Sequence, residues 1–166
     1  MRKWYFCSMI DVNLTVSKQK VYDEVAKTTS YTGAKMQDDA AAYDRIFTTD
    51  DDQMMLERFW VEACNAATEQ FKPFLVNVST QEEGQRVDLS HNYEVSLKLS
   101  SSFDQSLISS IETSLFSFFV SFIVSRWYKF TNKDEAESYG ADSVSMMGDV
   151  MKKVYYKKKP VRVAPN

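Results

Sequence analysis

A long apolar segment near residues 103–130 has helical periodicity on two sides. Spacings of three and four residues predict an amphipathic helix, and a helix that is apolar on two sides needs two packing partners. One stripe comprises Leu107, Ile108, Ile111, Leu115, Phe118, Phe119, Phe122 and Ile123. The second stripe comprises Phe116, Val120 and Val124.

Two interpretations of the second stripe stay open at this point. The stripe either contacts a neighbouring subunit, with Phe116, Val120 and Val124 at the interface, or completes the core of the chain's own domain. A transmembrane span is disfavoured, because the densest apolar run covers only residues 115–124 and a span needs about 20 residues. Glu112 and Arg126 bracket that run closely.

Two other segments alternate with the period of two that is typical of strands with one buried face. The first covers residues 4–16, and the second covers residues 87–99 with a polar opposite face. We expect the two strands to pair in one sheet. The second would place His91 on its apolar side.

Further helices are predicted from start and stop signals. Ser17 is a candidate N-cap for a short helix that breaks near residues 31–33, and another short helix should end at Ile46. Residues 48–52 read Thr-Thr-Asp-Asp-Asp, which is the clearest helix start, and Pro73 marks the end of that helix. A last helix is expected over residues 133–147.

Together these elements predict a mainly helical α+β fold. We expect a small helix bundle with a long central helix, a short antiparallel β element and an extended C-terminal tail. Residues 1–148 should form a single domain, and residues 149–166 an extended basic arm. The length of 166 residues suits one domain with a core of its own.

The predicted arm is basic, whereas the rest of the chain is acidic. The arm has six basic residues and one acid, which leaves 14 basic and 22 acidic residues elsewhere. Such an arm could be a solubilising tail, dock into an acidic groove on a protein, or bind DNA. The residues predicted to dock are Val150, Lys152, Lys153, Val154, Tyr155, Tyr156, Lys157, Lys158, Lys159 and Arg162.

The sequence offers little chemistry for an active site, and we expect a non-enzymatic protein without cofactor or metal. Its single histidine, His91, is more typical of a structural role, and nothing in the sequence places it near Cys64. The two cysteines, Cys7 and Cys64, are expected to be reduced. The acids at residues 50–52 could bind magnesium or calcium, but a helix cap with solvated carboxylates is favoured.

Several motifs occur in an order that resembles the head–tail connector (adaptor) proteins of long-tailed bacteriophages. The acid-capped helix start at residues 48–52 is followed by Ala63-Cys64-Asn65-Ala66-Ala67, then by the β segment at residues 87–99. A long helix then closes in Trp127-Tyr128 before a charged stretch at residues 132–137. The resemblance covers roughly residues 43–139, and residues 1–35 look like an addition to the family pattern. A proline-rich strand region and an arginine after the Trp-Tyr pair, both usual in the family, are missing.

The resemblance implies a structural virion protein of the phage neck, made in the cytoplasm of the host bacterium. It implies a homo-oligomeric ring of about twelve subunits, closed by head-to-tail contacts. The ring would bind the portal protein on one side and the next neck or tail protein on the other. DNA would only pass through its channel, and no membrane would be involved. The alternatives are a tail-completion or other neck or tail protein and a cytoplasmic DNA-binding regulator.

Overall fold

A three-stranded antiparallel sheet and a layer of helices around one long helix make up the fold. The computed structural model describes residues 8–36, 41–78 and 91–159. Within these ranges the strands are β1 (Met9–Val16), β2 (Leu75–Val78) and β3 (Tyr93–Ser100). The helices are α1 (Lys18–Lys35), α2 (Ala42–Ile46), α3 (Gln53–Phe71), α4 (Ile108–Thr131) and α5 (Lys133–Tyr155). The predicted class, a mainly helical α+β fold, is confirmed.

The sheet has the order β1-β3-β2, and all neighbours are antiparallel. The register of β1 and β3 runs from Met9 opposite Ser100 to Val16 opposite Tyr93. Alternate residues of both strands are buried, as period-two patterning requires. The expected pairing of the two strands is therefore confirmed for residues 9–16 and 93–100. The rest of the predicted strand segments lies outside the described residues, except Ser8, His91 and Asn92.

His91 does not lie on the apolar side of a strand as the alternation predicted. The strand begins only at Tyr93, and His91 is exposed before it. Within the described residues, His91 and Asn92 thus precede the strand that was predicted to include them, because the local order of apolar and polar residues does not show where backbone pairing starts.

Helix α1 begins as predicted and ends later than predicted. The Ser17 side chain accepts a hydrogen bond from the Lys20 N–H, which satisfies a free donor of the first turn. The helix passes through the predicted break and ends at Lys35. Gly33 is needed there for close packing, since a Cβ atom at Gly33 would lie 2.9 Å from the Cα of Tyr43. The glycine marks the contact between α1 and the segment of α2.

Helix α3 starts where residues 48–52 predicted it. The Asp52 carboxylate accepts hydrogen bonds from the Thr49 N–H at 2.8 Å and from the Thr49 hydroxyl at 3.0 Å. Residues 50–52 form one turn of 3-10 helix that leads into α3. This is one half of the capping-box contact, in which an acid three residues on accepts a hydrogen bond from the backbone N–H of the cap residue.

Helix α4 is the centre of the core, and its partners decide between the two interpretations of the second stripe. Val120 is 8% exposed and Val124 is fully buried, while Phe116 is partly buried against the core. Helix α5 packs along α4 and supplies the second partner. The assignment of Val120 and Val124 to a subunit interface is therefore wrong, and Phe116 is largely used within the domain. By length and mean hydropathy alone, the segment Gln105–Thr131 meets the criterion for a membrane-crossing helix, which core helices also meet.

The end of α4 is fixed to α2 through the Trp-Tyr pair. The indole N–H of Trp127 donates a hydrogen bond of 2.7 Å to the carbonyl oxygen of Ile46. Tyr128 is fully buried beside it, and its ring meets the ring of Tyr139 on α5 edge-on. Helices α2, α4 and α5 are thereby held together at one end of the domain.

Helix α5 corrects the predicted boundary between the domain and an extended arm. The helix continues to Tyr155, so residues 149–155 are helical, and of the predicted arm only residues 156–159 follow the helix within the described part of the chain. The reason is burial, since Met147, Val150 and Val154 recur at helical spacing and all three are buried. Because lysines surround these three residues, the composition of the segment predicted an extended basic arm and not a helix with a buried stripe.

Candidate partner-docking site

The chain returns to the end of the sheet after α5 and forms an exposed basic segment there. The backbone of Lys157 pairs with Phe103 in an antiparallel bridge. The Lys158 N–H donates to the carbonyl oxygen of Ser102 at 2.9 Å, and the Lys158 ammonium lies 3.0 Å from the carboxylate of Asp104. These contacts hold residues 156–158 against the loop between β3 and α4.

Some of the predicted docking residues make contacts inside the domain, and the others are exposed. Val150 and Val154 are buried in the core and cannot meet a partner, so their assignment to docking is wrong. Lys153 is also used internally, because its ammonium donates to the Ser110 carbonyl oxygen and to the Ser114 hydroxyl at 2.7 Å. Arg162 lies outside the described residues.

The remaining docking residues are brought together at the surface. All are exposed, and we call them the C-terminal basic surface: Lys152, Tyr155, Tyr156, Lys157, Lys158 and Lys159. Tyr155 and Tyr156 are each more than half exposed. The Tyr155 ring contacts the Phe74 ring edge-on at a centroid distance of 5.1 Å, which fixes the direction of that side chain.

Asp104 is the acidic residue that ties the basic segment to the body. Hydrogen bonds from the Ser106 side chain, and then from the Lys158 ammonium, lower the pKa of the Asp104 carboxyl below its ordinary value. The carboxylate is thus charged at neutral pH. Lys152 pairs with Asp149 in an exposed ion pair, which contributes little rigidity.

An apolar cavity of about 270 Å³ opens beside the basic surface. Its apolar walls come from separate parts of the chain, with two lysines among the lining residues. The lining includes Met9, Phe74, Leu99, Phe103, Val154, Tyr155, Lys98 and Lys157. Sequence reasoning missed Met9, Phe74, Lys98 and Phe103, because only the sheet pairing and the return of the chain after α5 bring them together.

A second cavity of about 370 Å³ lies next to the same segment and is more polar in its lining. Asp104, Leu107, Lys152, Lys153 and Tyr156 surround it. Tyr156 borders both cavities. The two cavities therefore share one exposed aromatic side chain as a partition, with lysines on both sides.

Cys64, for which the sequence predicts no catalytic role, is partly buried against the core. Burial raises the pKa of the Cys64 thiol to about 12, with a further rise from the nearby Glu57 carboxylate. A thiol with this pKa is protonated and is a poor nucleophile at neutral pH. Among residues 8–36, 41–78 and 91–159, no group of three or more histidine, cysteine or acidic side chains is arranged to hold a metal ion.

The C-terminal site therefore consists of a docking surface and the two cavities beside it. They consist of charge, aromatic rings and apolar walls, which suit recognition of another macromolecule. Comparisons of the chain with protein-family models, with curated proteins and with solved structures give no match.

Proposed function

We propose that this chain is a structural virion subunit that forms a ring below the portal at a phage head–tail junction. It docks on its neighbour through the C-terminal basic surface and extends the DNA channel. The observation that carries the proposal is the exposed segment of lysines and tyrosines, held in place by Phe103 and Asp104. The order of motifs that resembles the connector family supports the same role.

The geometry of the basic surface favours docking over a purely solubilising tail. A solvated tail has no need for two half-exposed tyrosines whose backbone neighbours are hydrogen-bonded to the body. Rigid aromatic side chains bind with little loss of conformational freedom and are common energetic centres of interfaces. Lysines beside them steer an acidic partner and raise the association rate.

A ring also needs contacts between subunits, and Phe130 is the side chain we propose for them. The Phe130 side chain is 69% exposed near the end of α4, and its ring stacks on Phe59 at a centroid distance of 6.4 Å. A large aromatic on a rigid helix surface is the kind of residue that a partner buries. Arg126 lies one turn before it and pairs with Glu62 on α3.

The charge distribution is compatible with a channel. Outside the C-terminal segment the chain carries 22 acidic and 14 basic residues. An acidic channel wall repels phosphate, so that DNA passes without being trapped. A tail-completion protein or another neck component would use the same surface against a different neighbour.

A DNA-binding regulator is the second candidate, because the lysines and tyrosines that suit an acidic protein also suit nucleic acid. Lysines neutralise phosphates and exposed tyrosines stack on bases. The salt dependence separates the two functions. A regulator should lose affinity for duplex DNA steeply between low and moderate salt, and a neck ring should bind duplex DNA weakly at any salt concentration.

Two truncations and one charge reversal test docking. Truncation after Tyr156 should leave the domain folded but abolish co-sedimentation with the portal protein encoded by the same phage. Truncation after Gly148 should unfold the domain, because it removes the buried Val150 and Val154. Both forms are compared by thermal melting before binding is measured.

The charge reversal keeps the chain length constant. Lys157→Glu with Lys159→Glu should weaken portal binding by at least tenfold, whereas Lys20→Glu with Lys27→Glu on α1 should not. The control reverses two exposed charges as well, so the net charge changes equally. Equal binding of both double variants would contradict docking through the C-terminal basic surface.

A further inference from the structure

We propose that the apolar cavity beside the C-terminal basic surface receives one apolar side chain of an acidic partner segment. The inference rests on the proposed docking function and specifies the chemistry of the partner. The partner would insert a phenylalanine-sized or leucine-sized side chain, and carboxylates next to it would meet the lysines at the rim. The partner thus supplies the inserted side chain, and this chain supplies the cavity that receives it.

The size of the cavity fits a single side chain. Its volume of about 270 Å³ is below the range of about 300–1,000 Å³ that is usual for sites of drug-sized ligands. A dry apolar cavity of about 150 Å³ already accommodates a benzene ring. One aromatic or branched aliphatic side chain therefore fits, whereas a large cofactor does not.

The walls of the cavity come from separate parts of the fold and are apolar. Leu99 and Phe103 contribute from the end of β3 and the following loop, and Val154 contributes from α5. Phe74 and Tyr155 contact each other edge-on and close another side. Native proteins leave few voids larger than a water molecule unfilled. An exposed apolar cavity therefore indicates a site that an apolar group of a partner fills.

The charges at the rim determine which segment is favoured. Lys98 and Lys157 line the cavity and are exposed, and Lys152 borders the second cavity across Tyr156. Asp104, the acid in that second cavity, is engaged by Lys158. A segment with carboxylates on both sides of its apolar residue can therefore bind in either chain direction, because each orientation places a carboxylate near a lysine of the rim. A basic segment would be repelled.

The probes for the test are two short peptides that differ only in the central residue. One has the sequence Asp-Glu-Phe-Glu-Asp, and the other has alanine in place of phenylalanine. Binding to the full-length protein is followed by NMR of the methyl groups of Leu99 and Val154, both of which line the cavity. We expect the phenylalanine peptide to bind at least tenfold more tightly and to shift these methyl signals.

Variants of the rim test the charge contribution. Lys98→Glu with Lys157→Glu should weaken the phenylalanine peptide at least tenfold, whereas Lys20→Glu with Lys27→Glu on α1 should leave its affinity unchanged. The same peptide with lysines in place of the acids should not bind. Equal affinity for the phenylalanine and alanine peptides would overturn the inference, as would binding that leaves the Leu99 and Val154 signals unchanged.

Two further outcomes identify other occupants and would also overturn it. Binding of the phenylalanine peptide only after removal of residues 1–7 would assign the cavity to the chain's own N-terminal segment. Stronger binding of a single-stranded oligonucleotide at the same methyl groups would assign it to nucleic acid. Portal binding without peptide binding leaves the docking function standing and rejects only this partner chemistry. Peptide binding without portal binding leaves this partner chemistry standing and rejects docking on the portal.

Discussion

The ammonium group of Lys18 is fully buried and lies 2.6 Å from the carboxylate of Glu57. The two residues join the start of α1 to α3, and the Tyr22 hydroxyl donates to the same carboxylate at 2.9 Å. Burial, and then the Glu57 carboxylate, raise the pKa of Tyr22 far above its ordinary range, so the phenol stays a donor. This buried ion pair orders the packing of α1 against the core.

Removing one partner of the pair should be costly. Glu57→Gln leaves the Lys18 ammonium buried without its carboxylate, and we expect a loss of about 3–5 kcal/mol in the free energy of unfolding. Replacing both residues, with Lys18→Met and Glu57→Gln, should cost less than Glu57→Gln alone. Urea denaturation measures both, with Glu24→Gln as an exposed control on α1. A change below about 1 kcal/mol for Glu57→Gln would contradict the account of this pair.

The exposed end of α4 and its buried middle should respond differently to the same substitution. Val120→Asp places a charge in the core and should unfold the domain or lower its stability by several kcal/mol. Phe130→Asp removes the ring contact with Phe59 and should lower the melting temperature only slightly, but it should prevent the proposed ring formation, because the Phe130 side chain is exposed. Thermal melting and light scattering distinguish the two effects. Normal assembly of the Phe130→Asp protein would exclude this residue from the interface.

The contact between Asp104 and Lys158 should depend on pH. The pKa of Asp104 is lowered by folding, so the folded chain binds this proton less tightly than the unfolded chain. The contribution is therefore complete above the ordinary pKa of 3.8 and is lost as pH falls through the lower pKa of the folded protein. Hydrogen exchange at the Lys158 amide should accelerate relative to its intrinsic rate in that acidic window. An Asp104→Asn protein should show fast exchange at every pH, and slow exchange in it would argue against the contact.

The start of α3 should depend on Asp52 more than on its neighbours in sequence. Asp52→Ala removes both hydrogen bonds from Thr49 and should lower the free energy of unfolding by about 1–2 kcal/mol. Asp51→Ala is the adjacent control and should lower the free energy of unfolding by only a few tenths of the amount expected for Asp52→Ala. Added magnesium or calcium should leave the melting temperature of the wild-type protein unchanged. A clear metal-dependent rise would mean that these acids form a cation site.

Much of the fold could be predicted from periodicity, because the patterns that signal a strand, a cap or a helical stripe each lie within one short stretch of sequence. The alternation around Val95 and Leu97, the Ser17 cap and the helical stripe through Leu115 each depend on neighbours a few residues away. The end of α5 did not follow, because Val150 and Val154 are separated by lysines that gave the segment the composition of a solvated tail. The burial of these two valines against the domain decided the outcome.

The candidate site was only half predictable for a related reason. Tyr155, Tyr156 and the lysines form a continuous segment, so composition identified them. Lys98 and Phe103 belong to the same site through the sheet register and the bridge to Lys157, which no local pattern encodes. Val120 and Val124 were assigned to an interface because a helix that is apolar on two sides needs two partners, and the core of one small domain was expected to cover only one side.

We propose that this chain forms a ring on the portal of a tailed phage. Native mass spectrometry of the protein mixed with the portal protein encoded by the same phage tests that claim most directly. We predict one saturated complex whose added mass is an integer multiple of the 19.2 kDa subunit, close to one copy per portal subunit. A mixture in which the portal mass is unchanged and the chain stays monomeric at both low and moderate salt would contradict it.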